Sequence, residues 1–365
     1  MNAGSESVDG PKRKDSTPEP YYADKITVLR DLFGTTAVGL SSDQLDVNGR
    51  SYPIVDDVIV LLAPEDCPPA VRRRLAGRRD SEAPSPMLAK DVQSSFSDQW
   101  TRFGTILPEH EAEFQTYFDL VPLDSMAKAR IADLGCGIGR WSYFLAERCR
   151  EIVLVDFSEA IFVARRNLRG ARRSLFFLGD VTALPFRSGF ADMVVCLGVL
   201  HHLPTDALQE VRRLARFSST LLVYVYYALD DRPAAWRAIF RAENEVRRVL
   251  STIRSPRVRT ATSWWLAIFV YLPFIQVGRL ARPLGLSSRV PLYEFYAGKS
   301  VGRIRQDAYD RFLTPIEQRF RREQVLGLRD TFAQVVVSDQ PPFWHFLCKG
   351  VARREDAEGC AGSSS

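Results

Sequence analysis

The stretch Ile131–Cys149, IADLGCGIGRWSYFLAERC, passes from an apolar run through three alternating glycines into apolar positions at helical spacing, Trp141, Phe144 and Leu145 among them. That pattern is a strand, a tight turn and a helix. Gly135, Gly137 and Gly139 leave the backbone bare where the chain turns, as a cradle for a nucleotide-like ligand requires. The same alternation continues downstream. EIVLVDF (151–157) precedes the helical AIFVARRNL (160–168), and SLFFLGD (174–180) and ADMVVCLGV (191–199) precede the helical DALQEVRRLA (206–215), after which comes TLLVYVYY (220–227). Apolar β-rich runs alternating with amphipathic helices predict an α/β fold with a doubly wound, mostly parallel sheet. AQVVVSD (333–339) and PFWHFLCKG (342–350), joined across Gln340-Pro341-Pro342, read as a closing hairpin that makes one strand antiparallel.

Upstream, residues 1–20 are nearly devoid of large apolar side chains and are expected to be disordered, as is the tail 352–365. Residues 21–66 read as a small β-rich N-terminal module built on a hairpin turning at Asn48-Gly49. Residues 67–94, rich in proline and arginine, read as a surface linker with one short helix. The main domain is placed at 95–351. Trp100 and Phe103 at its entrance are read as either a core stripe or a lid over a ligand.

Between the fifth strand and the closing hairpin lie about a hundred residues, 228–330, too many for a simple connection, so they are expected to form a helical insertion capping the domain. Its middle, Ala261–Gly278 (ATSWWLAIFVYLPFIQVG), carries no charge and is flanked by Arg259 and Arg279. Pro273, Gln276 and the surrounding globular topology favour a buried or substrate-capping helix, with a peripheral membrane contact and a true span as the competing readings.

At 365 residues, 46% of them hydrophobic and 25% charged, the chain is long enough for a full core. The formal charge of +5 implies only weak, non-specific attraction to polyanions, which argues against a nucleic-acid partner. The six cysteines (67, 136, 149, 196, 348 and 360) form no CxxC pair, and the four histidines have no metal-ligand spacing. No metal site and a cytoplasmic location are therefore expected. Oligomeric state has no signature in the sequence.

The glycine turn reads Asp133-Leu-Gly135-Cys136-Gly137-Ile-Gly139, with an acidic residue on the strand and no third glycine at dinucleotide spacing. With the motifs that follow it, the region from about Ser95 to Lys349 resembles the class I S-adenosylmethionine-dependent methyltransferases. The resemblance implies a seven-stranded, Rossmann-like sheet, S-adenosyl-L-methionine as cofactor, and a methyl group passed to a small acceptor by in-line displacement. It also implies cofactor contacts from Asp133, Gly135, Cys136, Gly137 and Gly139. Asp156, beside Phe157 and 23 residues after Asp133, is expected to accept the ribose hydroxyls. Asp180 and Val181 are expected at the adenine, and Leu197 at the end of the fourth strand. For the two carboxylates the alternatives are a helix cap at Asp156 and a turn residue at Asp180. NGRSYPIVDDVIVLL (48–62) in turn resembles the zinc-ribbon-like domain that precedes or assists some methyltransferases, here without its cysteine pairs.

The acceptor half is less explicit. His201 and His202 are candidates for handling a proton, Tyr226 and Tyr227 for a place beside the transferred methyl, and Tyr293 and Tyr296 for closing over it. Asp206 and Glu210 are expected to be solvated helix charges. The aromatic and aliphatic content of the insertion implies an apolar or amphipathic acceptor, with a lipid, quinone or RNA acceptor and a non-catalytic binding module as alternatives.

Overall fold

The computed structural model describes residues 20–76, 92–94, 97, 103–228, 243–290, 292–340 and 344–351. Residues 1–19, most of the expected linker, Trp100, the start of the insertion and the tail lie outside them.

The strands are β1 (Val38–Leu40), β2 (Gln44–Val47), β3 (Arg50–Val55), β4 (Val58–Val60), β5 (Arg130–Leu134), β6 (Glu151–Asp156), β7 (Ser174–Leu178), β8 (Met193–Leu197), β9 (Thr220–Tyr224), β10 (Tyr226–Tyr227), β11 (Arg319–Phe320), β12 (Phe332–Val337) and β13 (His345–Val351). Eleven of them form one sheet in the order β1-β2-β3-β4-β7-β6-β5-β8-β9-β13-β12. Within it, β7-β6-β5-β8-β9-β13-β12 is the expected doubly wound unit, parallel from β7 to β9, with β13 antiparallel to both of its neighbours.

Every residue of β5, β6, β7 and β8 is buried, which is why those strands read as unbroken apolar runs. Alternate side chains feed two cores. Ala132, Val153, Phe177 and Val194 pack with Leu29 and Leu32 of helix Ile26–Phe33 and Val211 of helix Ala207–Leu214. Ile131, Leu154, Phe176 and Val195 pack with Phe114 of helix Glu109–Tyr117, Leu145 of helix Arg140–Leu145 and Ile161 of helix Ala160–Asn167.

The N-terminal segment departs from its expected separation, because β4 runs parallel to β7 and the large sheet simply continues into β3, β2 and β1. Asn48 and Gly49, both at positive φ, make the anticipated hairpin turn, and Asp56 and Asp57, also at positive φ, make a second one. The segment is fastened by the Tyr21 hydroxyl donating to the Ser174 carbonyl at 2.8 Å and by the Arg165–Asp57 ion pair at 2.9 Å. Of the expected linker, Pro69–Leu75 is a helix whose Val71 and Leu75 join the second core.

The insertion has its own small core, in which Leu266, Tyr271 and Ile275 meet Tyr296, Ile304 and Phe312. It returns to the main domain through β11, which pairs in parallel with β10. The run Ala261–Gly278 is helical, but it is not buried as expected: Trp265 is 57% and Phe269 64% exposed. Tyr293 and Tyr296 are spent on this packing. Tyr296 meets Tyr271 edge-on at 5.1 Å, and the Tyr293 ring fills the notch at Gly278, where a Cβ would lie 2.2 Å from it. Phe103 likewise packs edge-on to Tyr309 at 6.1 Å. Glu210 is buried rather than solvated and pairs with Arg213 at 2.7 Å, while Asp206 caps its helix by accepting from the Gln209 amide.

Arg130, buried at the start of β5, joins the N-terminal segment to the main sheet. It pairs with Glu151 of β6 at 2.7 Å, with Asp31, and donates to the Phe190 carbonyl at 2.8 Å. Arg130→Ala leaves the buried Glu151 with only the more exposed Arg150, at 3.0 Å, and is expected to cost about 3 kcal/mol. Urea unfolding will report this as a lowered midpoint with an unchanged slope.

Candidate functional site

The first parallel strand of the doubly wound unit, β5, stops at Leu134, and Gly135, Gly137 and Gly139 follow at φ of +78°, +55° and +73°. Left-handed backbone at three alternate positions needs glycine. A Cβ at Gly135 would also stand 2.3 Å from Val199, and one at Gly139 would stand 2.7 Å from Leu168. The turn is held against β6, with the Gly135 and Cys136 amides both donating to the Val155 carbonyl at 2.7 and 3.1 Å.

Three carboxylates gather along this edge, where open parallel sheets bind their ligands. Asp156 closes β6. Its Oδ2 accepts from the Gly137 amide at 2.8 Å, and its Oδ1 accepts from the Ser158 amide at 2.8 Å and the Ser158 hydroxyl at 2.6 Å. Asp133, one residue before the end of β5, accepts from the Ser142 hydroxyl at 2.5 Å. Burial pushes its carboxyl up to about 7, against the lowering effect of that hydroxyl. Asp180 follows β7, and its Oδ1 accepts from the Thr182 amide and hydroxyl, each at 2.8 Å, so it also shapes its own turn.

Val181 and Leu197 are buried beside these residues, and Phe157 is partly exposed. Burial drives the Cys136 thiol well above its ordinary range, which leaves it inert as a nucleophile. The sequence reading missed Gln93, which is buried and donates to the Phe157 carbonyl at 2.6 Å and the Asp66 carbonyl at 3.1 Å. A single polar residue in a Pro- and Arg-rich stretch gives no signal of its own.

Three of the six acceptor-side candidates come together. His201 stacks on Tyr226 with ring centres 4.0 Å apart and lies 4.2 Å from His202. Burial, reinforced by His202 and Arg319, pushes His201 well below the usual imidazole range, so it is neutral at physiological pH. His202 donates from Nδ1 to the Ile316 carbonyl at 2.7 Å and ties the end of the insertion down. The Tyr226 hydroxyl donates to Asp310 Oδ2 at 3.0 Å. Burial raises both the Asp310 carboxyl and the Tyr226 phenol. Tyr227 points elsewhere, into the core against Trp344 at 4.8 Å, because successive strand residues face opposite sides. Tyr224 and Tyr117, neither of them foreseen, meet edge-on at 5.3 Å next to this group.

A second unforeseen feature is Glu113. It pairs with Lys299 at 2.7 Å and Arg303 at 3.0 Å, and lies 3.9 Å from Arg140, the first helical residue after the glycine turn. Burial alone would raise the Glu113 carboxyl, but Arg303, Arg140 and Lys299 overcome it and hold it at about 2.

Two predictions follow from this geometry. Removing the Asp156 carboxylate takes away the clasp on Gly137, so Asp156→Ala is expected to weaken S-adenosylmethionine binding by about ten- to a hundredfold, or roughly 1.5–3 kcal/mol, in a calorimetric titration. Glu113, lowered from 4.5 to about 2, contributes stability that is complete above pH 4.5 and lost as the pH falls toward 2. Glu113→Gln is expected to cost about 3 kcal/mol at neutral pH. Its deficit should shrink toward zero between about pH 5 and pH 2 in parallel urea melts.

Residues 131–217 match the methyltransferase-domain family. The tRNA (carboxymethyluridine(34)-5-O)-methyltransferase alkbh8 of Xenopus tropicalis is 32% identical over 101 residues, covering 26% of this chain and 15% of that protein. The demethylmenaquinone methyltransferase of Lactococcus lactis is 25% identical over 135 residues, covering 35% of this chain and 54% of that one. This chain thus spans 15% and 54% of the lengths of those two relatives. Among solved structures, a methyltransferase of Bacillus halodurans aligns over 37% of this chain and 59% of its own at 20% identity, with a TM-score of 0.33. The matched region, 131–217, holds the bare glycine turn and the carboxylates at the strand ends, so this part of the chain is a methyltransferase domain, built as in the class I S-adenosylmethionine-dependent enzymes it resembles.

Proposed function

We propose that this chain transfers a methyl group from S-adenosylmethionine to an apolar or amphipathic acceptor that enters beside His201 and Tyr226. The observation that carries the reading is the glycine turn at 135–139 clasped by the buried Asp156. Bare backbone and a buried carboxylate at the carboxyl edge of a parallel sheet are what a nucleoside with ribose hydroxyls requires. Asp133, Asp156 and Asp180, with the backbone of Gly135, Gly137 and Val181, would hold the cofactor. When bound, S-adenosylmethionine supplies an electrophilic methyl on a positively charged sulfur.

The chain's own contribution is orientation and exclusion of water, the main sources of acceleration for such a transfer. Tyr117, Tyr224, Tyr226 and His201 form a wall of rings suited to a flat or apolar acceptor. His201 is neutral and so offers a lone pair to an acceptor hydroxyl, with burial working against the charged form it takes on as a base. The insertion helix Val301–Leu313 supports this wall through Asp310, which fixes the Tyr226 hydroxyl.

The test is formation of S-adenosylhomocysteine by the purified full-length chain offered a hydrophobic quinol, a short-chain phenol or bulk tRNA. Turnover on the quinol or phenol supports the reading, and turnover confined to tRNA overturns the choice of acceptor. On the active acceptor, His201→Phe is expected to lower kcat by about 10²- to 10⁴-fold with unchanged cofactor affinity. An unaltered kcat would exclude His201 as the base.

A further inference from the structure

Helix Arg257–Leu284 runs for 28 residues, about 40 Å at the usual rise, with one π turn at Ala267–Tyr271. It is long and apolar enough to cross a membrane, yet only 28% of its most apolar window is buried. The burial is organised as a stripe. Ser263, Leu266, Ala267, Tyr271, Ile275 and Gly278 face the protein. The opposite stripe carries Trp264, Trp265, Ile268, Phe269, Phe274 and Leu280, from 38% to 78% exposed. Single exposed apolar residues are ordinary, whereas a continuous face of this size on one helix marks an interaction surface.

The charges around the face identify its partner. Between Glu245 and Glu294 there is no acidic residue, and eight arginines occur in that interval. Arg254, Arg257, Arg279, Arg282 and Arg289 are exposed and lie at the two ends of the apolar stripe. An uncharged apolar face bounded at both ends by arginine, with two tryptophans on it, is complementary to the boundary between anionic headgroups and acyl chains. The inner face rules out a span. Arg259 donates to the Leu313 carbonyl at 2.8 Å, and Arg305 donates to the Ser263 hydroxyl at 3.2 Å, so the first part of the helix is bolted to helix Val301–Leu313.

We propose that helix Arg257–Leu284 seats the protein on an anionic phospholipid surface, lying flat with Trp264, Trp265 and Phe269 inserted and the arginines at both ends among the headgroups. The proposal is independent of methyl transfer, since it concerns a face that carries none of the cofactor or acceptor residues.

Co-sedimentation of the full-length chain with vesicles of phosphatidylcholine, alone or mixed with phosphatidylglycerol, tests it. The mixed vesicles are expected to capture the protein, less so as salt rises, with a blue shift in tryptophan emission that Trp264→Phe with Trp265→Phe removes. The triple variant Trp264→Ser, Trp265→Ser and Phe269→Ser alters side chains of the exposed stripe, of which Trp264 also holds Arg305 over its ring at 4.7 Å. It is expected to keep the wild-type melting temperature and to bind at least about tenfold more weakly. Arg279→Gln with Arg282→Gln and Arg289→Gln is expected to abolish the preference for anionic vesicles. Protein remaining in the supernatant with both vesicle types would overturn the proposal. So would a lipid-free dimer that the triple serine variant dissolves, which would make a second copy the occupant, or tRNA binding lost in that variant, which would make the face an RNA surface.

Discussion

The site depends on one contact between the carboxyl ends of the neighbouring strands β5 and β6, the Asp156 carboxylate at the end of β6 receiving the Gly137 amide at 2.8 Å. Three successive amides, those of Gly135, Cys136 and Gly137, donate to the last two residues of β6, which only a turn with left-handed glycines achieves. The contact serves both partners. Burial raises the Asp156 carboxyl, and the hydrogen bonds from Ser158 and the Gly137 amide work against that rise by favouring the charged form. The helix that follows is fixed at its far side by Ser142 on Asp133. Turn, strand ends and helix therefore behave as one rigid unit.

What was legible in the sequence was whatever has a local pattern. β5 to β8 announce themselves because strands buried on both faces are unbroken apolar runs, and the glycine turn is legible because three alternate left-handed positions in tight packing favour glycine. His201, His202 and Tyr226 were found as types near a strand end, although their neighbourhood was not. Features made by residues distant in sequence stayed hidden. The pairing of β4 with β7 has no local signature, so a segment with its own hairpins read as a module of its own. Asp56 and Asp57 form a turn because short acidic side chains tolerate positive φ.

The insertion shows the same limit in a different form. An uncharged run such as Ala261–Gly278 reads alike whether its apolar face meets protein or solvent, and only the arrangement of Tyr271, Ile275 and Tyr296 on one side decides which. Glu113 was invisible because its partners, Arg140, Lys299 and Arg303, come from the glycine-turn helix and from the insertion. That cluster is nevertheless what connects the insertion to the cofactor edge. Together with the seam of β10 and β11, it makes the roof over the rings part of the main domain.

The fusion of the N-terminal strands to the far edge of the sheet imposes an order on biosynthesis. Tyr21 bonds to Ser174, 153 residues along the chain, so this segment, made before the rest of the sheet, has no docking edge until β7 has been made. Contacts of such sequence separation close slowly, and a nascent hairpin with an unpaired edge is prone to wrong partners in the interval. The charged and polar residues that interrupt β2 and β3 (Gln44, Asp46, Arg50 and Ser51) make those strands poorly suited to self-association. The edge that waits for β7 is β4, which is only three residues long and is the last strand of the meander to be made.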